Sequence, residues 1–169
     1  MALVTTVSLA LSGRLSSALD LGSTSAEVNI RKAIELASGV ALNQADKIFQ
    51  DRRTLAASTS EDLDLAGVLS DPMNQALTFA RIKVLAVIAA AANANNVIIG
   101  GAASNAWVGP FGAAAHTIAA RPGEPKLIAC AADATAYPVT AGTGDQLKIA
   151  NSGAGTPVTY DIVIIGASA

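Results

Sequence analysis

The sequence predicts an all-β fold: a single-domain antiparallel β-sandwich of jelly-roll type over residues 26–169, with an extended N-terminal strand or arm over residues 1–25. Three observations carry this reading. Large apolar residues recur with a period of two, the spacing that puts alternate side chains on one face of a strand. Short apolar runs follow one another every 8–12 residues or so, the rhythm of a sandwich or barrel. Between them stand turn-forming segments such as Arg121-Pro122-Gly123, Ala141-Gly142-Thr143-Gly144-Asp145 and Asn151-Ser152-Gly153-Ala154-Gly155. The 169 residues suffice for one core, since a chain of about 150 residues buries roughly 70% of its unfolded surface.

Along the chain, Val4, Val7, Leu9 and Leu11 alternate with Thr and Ser, and Ser12 to Ser25 is polar and turn-rich. This reads as a first strand or as an arm reaching a neighbour. From Val28 to Leu36, Val28, Ile30, Ile34 and Leu36 fall on even positions and Asn29, Arg31 and Glu35 on odd ones, predicting a half-buried strand. Lys47–Leu55 and Glu61–Leu65 read as a pair of polar-faced strands around residues 56–60, with a break at Gly67 or Asp71-Pro72. One helical turn is expected near Pro72–Ala76, where Asp71 caps and proline occupies the first position. Leu77–Ala90 reads as a central strand, with a helix through Ala86–Ala92 as the alternative. Val97–Ile99, Ala115–Ala119, Lys126–Ala131, Ala136–Val139, Gln146–Ala150 and Pro157–Ile165 complete the set. The last is the strongest, because Val158, Tyr160, Ile162 and Ile164 define one apolar face and Val163 and Ile165 nearly make a second.

Composition points away from an isolated subunit. Hydrophobic residues make up 51% of the chain, yet only 4% are aromatic, and 37 of the residues are alanine. Charged residues make up 14%, against about 25% in average globular chains. So uncharged a surface suits an oligomer or a component of an assembly. Eleven basic residues face thirteen acidic ones, for a net charge of −2. The densest basic points, Arg31-Lys32 and Arg52-Arg53, are adjacent pairs whose members face opposite sides of a strand. Nucleic-acid binding, which needs a concentrated basic footprint, is therefore not expected. The longest apolar run, Val84–Ala92, is far short of the ~20 residues of a membrane-spanning helix. Arg14 follows the first apolar stretch instead of preceding it, the reverse of a signal peptide, which predicts synthesis in the host cytoplasm without secretion.

Chemistry-bearing motifs are sparse. The single histidine, His116, sits among alanines with no orienting carboxylate in sequence, and no G-x-S-x-G is present, so a Ser-His-Asp hydrolase is the weakest of the readings. The single cysteine, Cys130, reads as a small core or interface residue. One His and one Cys do not build a zinc site. Asp62 and Asp64 share a strand face beside Glu61 and Asp71 and are weak candidates for a hard cation. The calcium-loop pattern is missing, and a solvated edge, or pairing with Arg52 or Arg53 on the neighbouring strand, accounts for them better. No cofactor is expected, because the glycine clusters lack the Walker lysine and the dinucleotide-fold spacing. Trp107 and Phe111, in Asn105-Ala106-Trp107-Val108-Gly109-Pro110-Phe111, are the densest aromatic site. They read as a carbohydrate platform, an interface anchor, or a plug over the end of the sandwich.

Leu63-Asp64-Leu65-Ala66-Gly67, Leu77-Thr78-Phe79-Ala80-Arg81-Ile82-Lys83, the stretch from Gly100-Gly101 to Trp107, Arg121-Pro122-Gly123-Glu124 and Tyr160-Asp161-Ile162-Val163-Ile164-Ile165-Gly166 occur in an order that resembles small virion structural proteins of tailed bacteriophages. The resemblance covers residues 46–166 and rests on ordered turn motifs with no signature site. It implies a head decoration or cement protein, or else a tail or fibre component, located in the virion and without catalytic residues. The expected partners are further copies of the chain, as a trimer, and the major capsid protein or another virion protein, with neither nucleic acid nor membrane. Leu3, Val4, Val7 and Leu9 of the arm, with Trp107 and Phe111, are the candidate interface or ligand residues. A tail or fibre module would instead use the two aromatics as an exposed platform for host glycans.

Overall fold

The computed structural model describes residues 2–130 and 135–169. In chain order the strands are β1 (Thr5–Leu19), β2 (Gly22–Ser38), β3 (Gln44–Ala45), β4 (Lys47–Leu55), β5 (Ser60–Asp64), β6 (Leu69–Ser70) and β7 (Ala76–Leu77). There follow β8 (Arg81–Ala89), β9 (Val97–Gly100), β10 (Thr117–Ala120), β11 (Pro125–Ala129), β12 (Tyr137–Pro138), β13 (Gln146–Asn151) and β14 (Val158–Ala167). No helix occurs among the described residues, so none is long and apolar enough to cross a membrane. The high helix propensity of alanine loses here to tertiary pairing.

Two four-stranded antiparallel sheets form the body, ordered β11-β8-β14-β4 and β10-β9-β13-β5, with β12 added beside β8. Eight strands thus pair as a nest. The first pairs with the last (β4·β14), the second with the seventh (β5·β13), the third with the sixth (β8·β11) and the fourth with the fifth (β9·β10). Rolling this doubled ribbon joins β14 to β8 and β13 to β9. The result is a jelly roll, two sheets facing across one core. Strands β4 and β5, read from sequence as a pair, instead lie in opposite sheets.

The core between the sheets takes one face of each strand. Phe49, Leu85, Val87, Tyr160, Ile162 and Ile164 come from one sheet, and Leu63, Ile99, Leu147 and Ile149 from the other. The alternation read over 158–165 is that inward face. Ala86–Ala89 belongs to β8, which settles the strand reading against the helix. Gly166 stands at an irregularity in β14, where an added Cβ would lie 2.2 Å from the Arg81 carbonyl oxygen, so only glycine lets the two backbones approach this closely. The expected helical turn at 72–76 is a hairpin turn. Asp71 Oδ1 accepts N–H bonds from Met73 and Gln75, each 2.8 Å long, and closes β6 onto β7. The strand expected over Lys126–Ala131 runs over Pro125–Ala129, and Ala131 lies outside the described residues.

The arm differs most from expectation. Residues 5–38 form one long hairpin, paired without interruption from Thr5↔Leu36 to Leu19↔Gly22 around Asp20-Leu21. Fifteen pairs at about 3.4 Å per residue make a ribbon about 50 Å long. Residues 26–36, assigned from sequence to the sandwich as a half-buried strand, are the return strand of this arm, and Val28 and Ile30 are exposed. Leu36 alone of that run is fully buried, at the root.

Candidate interaction surface

The register of the hairpin sorts its side chains. Directly opposed residues share a face, so Val7/Ile34, Leu9/Lys32, Leu11/Ile30, Gly13/Val28 and Leu15/Ala26 line one side of the ribbon. The other side carries Ser8/Ala33, Ala10/Arg31, Ser12/Asn29, Arg14/Glu27 and Ser16/Ser25. One face is therefore mainly apolar, interrupted by Lys32, by Thr5 at the root and by the Ser17/Thr24 pair near the tip, and the other is polar, with an exposed Arg14–Glu27 ion pair at 3.7 Å. The apolar face is bare: Leu9 is 57% exposed and Leu15 76%. A lone two-stranded hairpin is at best marginally stable in water. Covering a Leu, Ile or Val side chain completely stabilises by about 1.5–3 kcal/mol, so several of them together rival the entropic cost of association, about 4–15 kcal/mol.

At its root the same face of the arm already meets the body. Leu36 and, partly, Leu3, Val7 and Ile34 pack on Val84, Ile165, Ile48 and Ala129 of the outer face of the β8/β14 sheet. Parallel pairing of β2 with β3 continues the contact. Lys83, wholly buried, sends its Nζ–H to the Ala41 carbonyl oxygen (2.6 Å) and so ties the arm-to-body connection to β8. A groove of about 410 Å³ lies beside the root between Leu3, Ile48, Asp46, Asp71, Met73 and Leu77. Of the arm residues singled out from sequence, Leu3 and Val7 thus belong to the root, while Val4 and Leu9 are exposed.

Trp107 and Phe111 are not an exposed platform. They are 3% and 9% exposed, within the core. The Trp107 ring meets Phe111 and Tyr137 edge to face, at centroid separations of 6.0 and 6.2 Å, and its Nε1–H donates to the Pro138 carbonyl oxygen at 3.0 Å. The loop plugs the end of the sandwich, one of the three readings its composition left open. Sequence does not separate a buried from an exposed aromatic loop, because the difference is made by Tyr137 and Pro138, distant along the chain.

The acidic residues are spoken for within the fold. Glu61 accepts hydrogen bonds from both Arg53 Nη1 and the Tyr160 hydroxyl. Asp64 Oδ1 accepts the Ala66 N–H (3.0 Å) in a turn, and Asp62 stands opposite Lys148 in the β5·β13 register. Arg52 pairs with Asp161, holding that carboxyl below the usual range through its hydrogen bond and charge. Among the described residues no three His, Cys, Asp or Glu side chains gather within reach of one metal ion. His116 Nδ1 lies 2.8 Å from the Phe111 carbonyl oxygen, a contact within its own loop. The surface with the most unspent free energy is accordingly the apolar face of the arm. No protein-family model matches the chain, and neither curated proteins nor solved structures give a match.

Proposed function

We propose that the chain is a non-enzymatic structural protein of a phage virion, a decoration or cement subunit that sits on the capsid as a homotrimer and clamps neighbouring capsid subunits. The observation that carries the reading is the pairing of a rigid jelly roll with a 15-pair hairpin arm whose apolar face is left uncovered within the chain. Jelly rolls recur in viral shells and in lectins, and an arm of this kind serves a contact between chains. The low charge agrees, since alanine-rich strands can approach a neighbour closely and lose no side-chain entropy on ordering. The alternative of a tail or fibre module gripping glycans rested on an exposed Trp107/Phe111 pair, and both rings are inside.

Particles assembled without the protein are expected to release their genome at lower temperature, or to burst at lower internal pressure, and to regain resistance when the purified protein is added back. Identical release profiles with and without it would contradict the cement role.

A further inference from the structure

We infer that the apolar face of the arm is covered by a second copy of this chain, seated on the outer face of that copy's β8/β14/β11 sheet. This deepens the reading of the chain as a self-assembling shell subunit and rests on it for its biological setting, though not for its geometry.

The seat follows from register. On the outer face of the sheet, Val84, Ile165, Ile48 and Ala129 form the row that the chain's own arm root covers. The next row, Leu127, Ala86 and Val163, continues the same apolar surface: Val163 is half-buried against the root cluster and Ala86 is half-buried, while Leu127 and, in the row beyond, Ile88 stand open. Leu127 is 46% and Ile88 45% exposed. The molecule therefore presents two bare apolar surfaces, an arm face and a sheet face. Its own root shows that these two faces pack together, since Val7, Ile34 and Leu36 on one meet Val84 and Ile165 on the other. A single chain leaves the distal arm and, on the sheet, Leu127 and Ile88 uncovered, and a second copy supplies each surface with the other.

Charge selects this arrangement over arms bundled on one another. Lys32 is the one charged residue on the arm's apolar face. Parallel arms around a symmetry axis would bring every copy's Lys32 to the same level, whereas on the sheet face the Arg52–Asp161 ion pair beside Ile88 carries no net charge to oppose it.

The test uses the full chain. Light scattering of the purified protein should give a multiple of the 16.9 kDa chain mass. Leu11→Glu and, separately, Ile88→Arg should each reduce it to a single chain, with the β-sheet circular dichroism and the thermal midpoint of the body retained. In a Cys130→Ser background, Leu11→Cys mixed with Ile88→Cys should cross-link on oxidation, while neither alone does; this readout stands even if a charged variant misfolds. A single-chain mass for the unaltered protein at high concentration, well-folded charged variants that stay assembled, or Leu11→Cys cross-linking to itself but not to Ile88→Cys would each overturn the inference. Failure of the cement role is read separately: particles indifferent to the protein leave the arm-to-sheet contact standing, and a monomer that still stabilises particles does the reverse.

Discussion

Burial of the Tyr160 ring between the sheets, and then its hydrogen bond to Glu61, hold the phenol protonated far above the ordinary tyrosine range. A tyrosine whose folded-state pKa is raised contributes stability that is complete below the unfolded value, near 10, and is lost as pH climbs beyond it. Phenolate absorbance from Tyr160 should therefore appear in strong alkali only together with unfolding, and Tyr160→Phe should remove that step at a cost of about 1–2 kcal/mol. Ionisation near pH 10 with the sheets intact would contradict the geometry. That Tyr160 faces inward was legible, because Val158, Ile162 and Ile164 alternate with it. That its hydroxyl reaches Glu61, or that Lys83 turns inward to Ala41, was not, since each partner is brought close only by the fold.

At the scale of elements, most strands of the body were legible. Lys47–Leu55 was found at its full length, and the runs at 97–99, 146–150 and 157–165 shifted by no more than two residues at either end. Local alternation and turn residues fix such strands. The arm was only half legible, because Ser12–Ser25 carries Gly13, Ser16 and Ser17 where a buried strand would carry large apolar groups. A ribbon with one polar and one apolar face needs no more than alternate leucines, and its pairing is set by the partner strand. The arm also carries Arg14, Arg31 and Lys32, and a peripheral ribbon opens more readily than core strands. Trypsin acting on dilute, dissociated protein should therefore cut these sites before any in the body, and concentrating the protein into its assembled form should slow those cleavages selectively. Equal arm cleavage rates in both states would show that nothing covers the arm.

For the whole molecule, periodicity predicted the all-β sandwich, and the eight-strand nest answers it. Strand order was beyond reach, since β4 and β14 meet across about a hundred residues and equivalent alternating strands can pair in many orders. The bare arm turns the oddity of an apolar, charge-poor chain into a located surface, because its uncovered leucines lie on one face of one ribbon. The most direct measurement of the central proposal is a reconstruction of phage particles assembled in the presence of this chain, at a resolution that traces the arm. The account predicts jelly-roll density on the outside of the head, with the apolar face of each arm lying on a neighbouring copy. A particle head without that density, or arms projecting free into solvent, would contradict it.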